Sequence, residues 1–144
     1  MSKIEQKLAD MGFPLPAVAK PVAAYVPSVV TGNLCFTSGQ LPFVDGALPQ
    51  TGKVGRDVTA EDAKDLARLC ALNALAALKL AIGDLDRVTR IVKVVGFVSV
   101  VPEFTAIPGV INGASEFLGE VFGEVGSHAR SAVGVPALPL DSAV

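Results

Sequence analysis

Two rhythms of apolar residues run along this chain, one with helical spacing and one with strand spacing, and their alternation orders the elements. Ile4, Leu8 and Met11 recur at i, i+4 and i+7, the pattern of a short amphipathic helix that Gly12 and Pro14 bring to an end. Pro14, Pro16 and Pro21 then keep the chain extended as a linker. Ala23–Val30 reads as an edge strand, because Pro27 has no N–H to give to a ladder. Thr31-Gly32-Asn33 is a turn and Leu34–Ser38 a returning strand, so the pair predicts a hairpin. Asp45-Gly46, between Phe43-Val44 and Ala47-Leu48, predicts a second, smaller turn, and residues 49–58 a loop.

The helical rhythm returns at Thr59. Its hydroxyl can cap a helix, with Asp62 in a variant of the capping box and acidic residues in the first turn. The spacing carries this helix to about Ile82, and Gly83 stops it. From Leu69 onward it is apolar around most of its circumference, so it packs on a sheet with one side and is largely covered elsewhere. Ile91–Val101 is the clearest central strand, since both of its faces are rich in Val, Ile and Phe. Phe104 to about Phe122 predicts another helix, starting near Pro108, and Ser127–Val135 a last strand. Strand, strand, long helix, strand, helix, strand is an α+β order in which both helices cover one face of a single sheet. Residues 1–20 form the N-terminal helix and Pro-rich linker, and 21–144 one α+β domain.

The second sheet face is either exposed to water or shared, and composition favours the shared face. Apolar residues make up 51% of the chain, charged residues 18%, and Trp is absent, so the chain either buries most of itself or hides surface in an oligomer. The sheet face away from the helices is expected to be shared between copies. The densest apolar run, Leu69 to Ile82, is broken by Asn73 and Lys79 and falls short of the roughly 20 residues a bilayer requires. No membrane span is expected. The first residues mix charge with apolar positions, unlike a secretory signal, and a cytosolic location is expected.

Twelve Lys and Arg against fourteen Asp and Glu leave a net charge of −2, with no basic run, which argues against nucleic acid as a ligand. Gly52-Lys53 resembles part of a phosphate loop, but the spacing from Gly46 is wrong and Val54 stands where Ser or Thr would reach Mg²⁺. Cys35 and Cys70 lack metal-ligand spacing and are read as small buried hydrophobes. Glu116, Glu120 and Glu124 form an acidic row without His or Asp partners, which reads as a solvated helix face. His128, the single histidine, is read as a loop-surface residue, and no metal site is expected. Arg130 is the one cation in a small, apolar strand. Its forked donors fit either a structural ion pair or an anchor for a small carboxylate.

Tyr25 before the hairpin, Phe36-Thr37-Ser38-Gly39-Gln40-Leu41-Pro42, Val92-Lys93-Val94 leading to Phe97-Val98, Asn112, and Ala129-Arg130-Ser131 appear in this order around the long helix. From about Pro21 onward the chain resembles the Rid family of reactive intermediate deaminases, also called YjgF-like and labelled endoribonuclease L-PSP or translation inhibitor. The N-terminal helix and linker are similar to the extension of a divergent subgroup. The resemblance implies a chorismate-mutase-like fold with a single mixed sheet, a homotrimer formed through the sheets, and ligand pockets between subunits. It also implies hydrolysis of enamines and imines such as 2-aminoacrylate to 2-keto acids and ammonia, without a cofactor.

By the same resemblance Arg130 clamps the substrate carboxylate. Ser38 and the Gly39 amide line the pocket, Tyr25 is a pocket tyrosine, and Asn112 lies near the subunit boundary. Ser38 is paired with Arg130 as a catalytic candidate. Two positions depart from the family pattern. Ala132 replaces a frequent Cys, and a water-positioning Glu would fall directly after Val144, so further residues are expected beyond that abrupt apolar end. A non-catalytic binder of small carboxylates and an endoribonuclease or translation inhibitor are the alternative functions.

Overall fold

The computed structural model describes residues 2–18 and 24–144. Pro21 of the expected linker and Ala23 at the expected strand start lie outside them. Helix α1 spans Lys3–Asp10, with the Ser2 hydroxyl accepting the Glu5 amide, and Leu8 fully buried. Strand β1 is Ser28–Thr31 and β2 is Leu34–Thr37, paired antiparallel through the two-residue turn Gly32-Asn33. The strand expected from Ala23 thus begins only after Pro27, the residue that cannot join the ladder.

The long helix, α2, spans Ala60–Ile82. Thr59 caps it by accepting the Asp62 amide at 3.1 Å, and Gly83, at φ 83°, ends it in a backbone region that suits glycine. Strand β3 is Lys93–Ser99, α3 is Ile107–Phe122 with Pro108 in its first turn, and β4 is Ala129–Val135. β3 and β4 run parallel, Lys93 opposite Ala129 and Ser99 opposite Val135. The other edge of β3 takes main-chain bonds from Val54 and to Ala143, consistent with an interior strand.

The helices cover one side of both ladders. α2 packs on β1 and β2, α3 packs on β3 and β4, and the two helices pack on each other. Among the described residues no strand pairing joins the β1–β2 ladder to the β3–β4 ladder, so the sheet layer is made of two hydrogen-bonded pairs lying under the helices. The core between the layers contains Leu66, Leu75, Val98, Ile111 and Phe117, and the buried ends Ala143 and Val144 close it. The face turned away from the helices keeps Val29 and Phe36 on one ladder and Val95, Phe97 and Val133 on the other largely exposed.

Contact between α2 and α3 depends on Gly113. A Cβ there would overlap the Lys64 carbonyl oxygen of α2, so only glycine lets the two backbones approach this closely. Overpacking at such a contact typically costs about 1–3 kcal/mol. Gly113→Ala is therefore expected to lower the unfolding free energy from urea titration by an amount in that range, and an unchanged value would contradict the packing.

α1 is tied to the body by a carboxylate. Asp86 accepts the amides of Ile4 and Lys3, each at 2.9 Å, and Glu5 pairs with Lys79 at 2.7 Å. The Ile4 amide, followed by that of Lys3, holds the Asp86 carboxyl below its ordinary value of 3.8. Because the value is lowered on folding, the anchoring is fully present above the ordinary value and is lost as pH falls through the folded one. Amide hydrogen exchange in α1, corrected for intrinsic rates, is expected to stay constant from pH 7 to 5 and to accelerate below 3.8. Asp86→Ala should show the faster exchange already at pH 7.

Candidate functional site

Strand alternation turns Arg130, Ala132 and Gly134 of β4 toward α3. Ala132 packs on the core, and a Cβ on Gly134 would meet Ile107 Cδ1 at 2.9 Å. Arg130 therefore reaches the first turns of α3. Its Nη1 donates to Asn112 Oδ1 at 2.7 Å and to Ser115 Oγ at 3.2 Å, and its Nη2 donates to the Pro108 carbonyl at a long 3.4 Å. Pro108, Asn112 and Ser115 are spaced i, i+4 and i+7, which puts all three on one face of α3.

These partners are uncharged. Among the described residues the ion pairs are Arg56–Asp57, Lys64–Glu116, Arg68–Asp65 and Lys79–Glu5, and none includes Arg130. The structural ion pair that the sequence left open is therefore absent there. A guanidinium has five N–H donors. Nη1 makes two of the bonds to α3 and Nη2 the long one, while Nε–H makes no hydrogen bond to the described residues. Nε–H together with an Nη2–H is the pair that takes a carboxylate side-on with two parallel bonds. A half-buried cation braced by neutral acceptors has the chemistry to bind an anion.

His128, read from sequence as a loop-surface residue, is half-buried beside Arg130. Its Nε2 lies 2.8 Å from Ser115 Oγ and its Nδ1 2.6 Å from the Gly126 carbonyl oxygen. Ser115, Gly119, Gly126, Ser127, His128 and Arg130 line one open cavity of about 360 Å³. Ser115 carried no assignment in the sequence. Its signal was the i+3 spacing from Asn112 on a helix facing the Arg130 strand.

The other sequence candidates lie elsewhere in the single chain. Ser38 Oγ donates to the Val26 carbonyl at 2.6 Å, Gly39 is exposed with open space around its Cα, and Tyr25 is 45% exposed. None of the three bonds to Arg130 or Asn112 among the described residues. The strand-exit run that holds Ser38 and Gly39 is pinned by Asn73, a buried amide on α2 that donates to the carbonyls of Leu41 and Phe43 at 2.9 and 3.1 Å. A lone amide inside the apolar run of α2 was the available sign of that clamp.

The Gly52-Lys53 segment is closed to phosphate. The Lys53 amide donates to Asp57 at 3.0 Å and its ammonium to Ser99 and the Pro136 carbonyl. The Arg56 guanidinium, then the Lys53 amide, holds the Asp57 carboxyl below its ordinary value. Cys70 is half-buried, and burial pushes its thiol up to about 12, the behaviour of an unreactive thiol. Among the described residues no group of acidic, His or Cys side chains is arranged to hold a metal. Among the described residues no helix is long and apolar enough to cross a membrane.

The protein family described as "YjgF/chorismate_mutase-like, putative endoribonuclease" matches residues 5–144. The chain belongs to the YjgF, or Rid, family. Like other YjgF proteins it is an α+β molecule of chorismate-mutase-like fold. It superposes on a crystal structure from Shewanella oneidensis, described as a "putative endoribonuclease", with a TM-score of 0.94 at 37% identity, covering 97% of this chain and 93% of the other. It is 44% identical to Protein TCP17 of Trypanosoma cruzi over 143 residues, 99% of this chain and 89% of that protein. It is also 38% identical over 72 residues, 50% of this chain and 52% of the other, to the 2-iminobutanoate/2-iminopropanoate deaminase of Escherichia coli.

The Arg130 fork yields a direct test in this YjgF protein. A charge-assisted hydrogen bond is worth about 1.5–3 kcal/mol, so exchanging a two-bond fork for a point charge should weaken carboxylate binding about tenfold or more. Titration calorimetry with pyruvate is expected to show binding to the wild type, at least that loss for Arg130→Lys, and none for Arg130→Ala. Equal affinity in all three would place the carboxylate elsewhere.

Proposed function

We propose that the protein is an enamine/imine deaminase that hydrolyses 2-aminoacrylate-type intermediates to 2-keto acids and ammonia. The observation that carries this reading is the side-on fork of Arg130, left open while Asn112 and Ser115 hold the opposite side of the guanidinium. A 2-imino acid places its carboxylate one bond from the carbon that water attacks, so an anchored carboxylate fixes that carbon over the cavity beside Arg130. The name of the Escherichia coli relative supports the same substrate class. Such hydrolysis needs positioning and proton transfer, and no cofactor enters it.

In this reading three copies assemble through the faces turned away from the helices, where Val29, Phe36, Val95, Phe97 and Val133 are exposed. Ser38, Gly39 and Tyr25 of a neighbouring copy then complete the pocket that Arg130 and Asn112 begin. Apolar area of this kind contributes about 25 cal/mol per Å² when covered, enough to favour association once several such side chains meet.

One observation favours a non-catalytic binder of small carboxylates: no carboxylate that could orient water stands against Arg130 among the described residues. An endoribonuclease is the weaker alternative. The Shewanella protein's name favours it, and the net charge of −2 without a basic run opposes it.

Two measurements check the proposal. With 2-aminoacrylate generated in situ, the wild type is expected to speed ammonia release well above the uncatalysed rate and Arg130→Ala to abolish the gain. Pyruvate binding without any acceleration would select the binder. Sedimentation equilibrium should return the mass of three chains, and Phe97→Glu, which places a charge on the shared face, should shift it toward one.

A further inference from the structure

Arg130 ends a chain of hydrogen bonds that begins on a backbone carbonyl two residues before His128. Arg130 Nη1 donates to Ser115 Oγ at 3.2 Å, that oxygen lies 2.8 Å from His128 Nε2, and His128 Nδ1 lies 2.6 Å from the Gly126 carbonyl oxygen. A guanidinium can only donate and a carbonyl can only accept, so the direction is fixed at both ends. Between them one ordering uses the serine hydroxyl as acceptor and donor at once. Ser115 takes the arginine N–H on its oxygen and gives its own proton to Nε2, and Nδ1–H goes to Gly126. Every bond then points away from Arg130, so each polarises the next and makes Ser115 a better acceptor for the guanidinium.

The far end of the chain is fixed by the backbone. A Cβ on Gly126 would overlap the Leu118 carbonyl oxygen, so glycine alone lets the turn before β4 sit this close to α3. The near end decides how the guanidinium is turned. Nη1 carries two N–H groups, one held by Asn112 Oδ1 at 2.7 Å and the other by Ser115. One acceptor would leave the planar group free to pivot about it, whereas two on the same nitrogen set the direction of its plane, and with it the direction in which Nε–H and Nη2–H point.

We propose that Ser115 and His128 are positioning residues for the Arg130 anchor, which hold the guanidinium in its carboxylate-binding orientation before the ligand arrives and do not touch the ligand themselves. The inference rests on Arg130 binding the carboxylate, as in the reading above, and needs no step of the hydrolysis. A long side chain already held in its bound orientation loses less freedom on binding. Affinity is where the effect falls.

The competing account makes the His128 ring a spacer that fills the gap between the Gly126 turn and α3. Titration calorimetry with pyruvate on the full chain separates the two. His128→Phe keeps the ring and removes the acceptor, while His128→Gln loses the ring and keeps an oxygen that can accept from Ser115. Positioning predicts that His128→Phe and Ser115→Ala each weaken pyruvate about three- to tenfold, and that His128→Gln restores most of the loss. Because the two residues act in series, the double variant Ser115→Ala with His128→Phe should lose no more than Ser115→Ala alone. If His128→Phe does not fold, the smaller apolar His128→Leu takes its place. Affinity kept by His128→Phe and lost by His128→Gln, additive losses in the double variant, or no loss in any variant overturns the inference. A wild type that binds no pyruvate overturns it together with the anchor. The predicted affinities without faster ammonia release support it and overturn the deaminase reading alone.

Discussion

The close approach of α3 to α2 at Gly113 is the constraint on which the site depends. With no side chain at that position, α3 lies against the Lys64 backbone and buries Ala114, Phe117 and Leu118 beside α2. The helical period then leaves Pro108, Asn112 and Ser115 on the flank that faces β4. Arg130 meets that flank because alternation along β4 turns it, with Ala132 and Gly134, to the helix side. Gly96 on β3, where a Cβ would meet Ile111 Cδ1 at 2.5 Å, lets the β3–β4 ladder come equally close. Three glycines on three elements thus set the distance between a guanidinium and the helix that braces it.

The energetics of Arg130 follow from that distance. Arg130 is half-buried, and Asn112, Ser115 and the Pro108 carbonyl meet its donors without balancing its charge. In the proposed site a small carboxylate supplies that charge with two aligned bonds.

Much of this was legible from the sequence, and the limits have physical causes. The long helix was readable to the residue at both ends because Thr59 and Gly83 are chemical caps that act locally. The α+β order followed from the change of hydrophobic period. The first strand was overextended because Tyr25 and Val26 have strand propensity, while Pro27 denies the ladder the bond it would need. Arg130 stood out as a lone cation, and Asn112 came only from family resemblance. His128 was misplaced at the surface because its burial is created by a contact across the fold, the Gly126 turn folding back on α3. Ser115 offered only its spacing from Asn112 and Asn73 only its place in an apolar run, and their partners are distant in sequence. Ser38, Gly39 and Tyr25 share no bonds with Arg130 within the described residues. Their place beside it is a property of neighbouring copies in the proposed assembly, which the pattern of one chain does not encode.

The central claim is that Arg130 is an anion anchor whose inner side is held by α3 and whose outer fork is free. A crystal structure of the protein soaked with pyruvate tests it most directly. The account predicts the pyruvate carboxylate bonded side-on to Nε and Nη2, with Nη1 still on Asn112. Pyruvate bound away from Arg130, or a guanidinium turned onto a protein carboxylate, would contradict it.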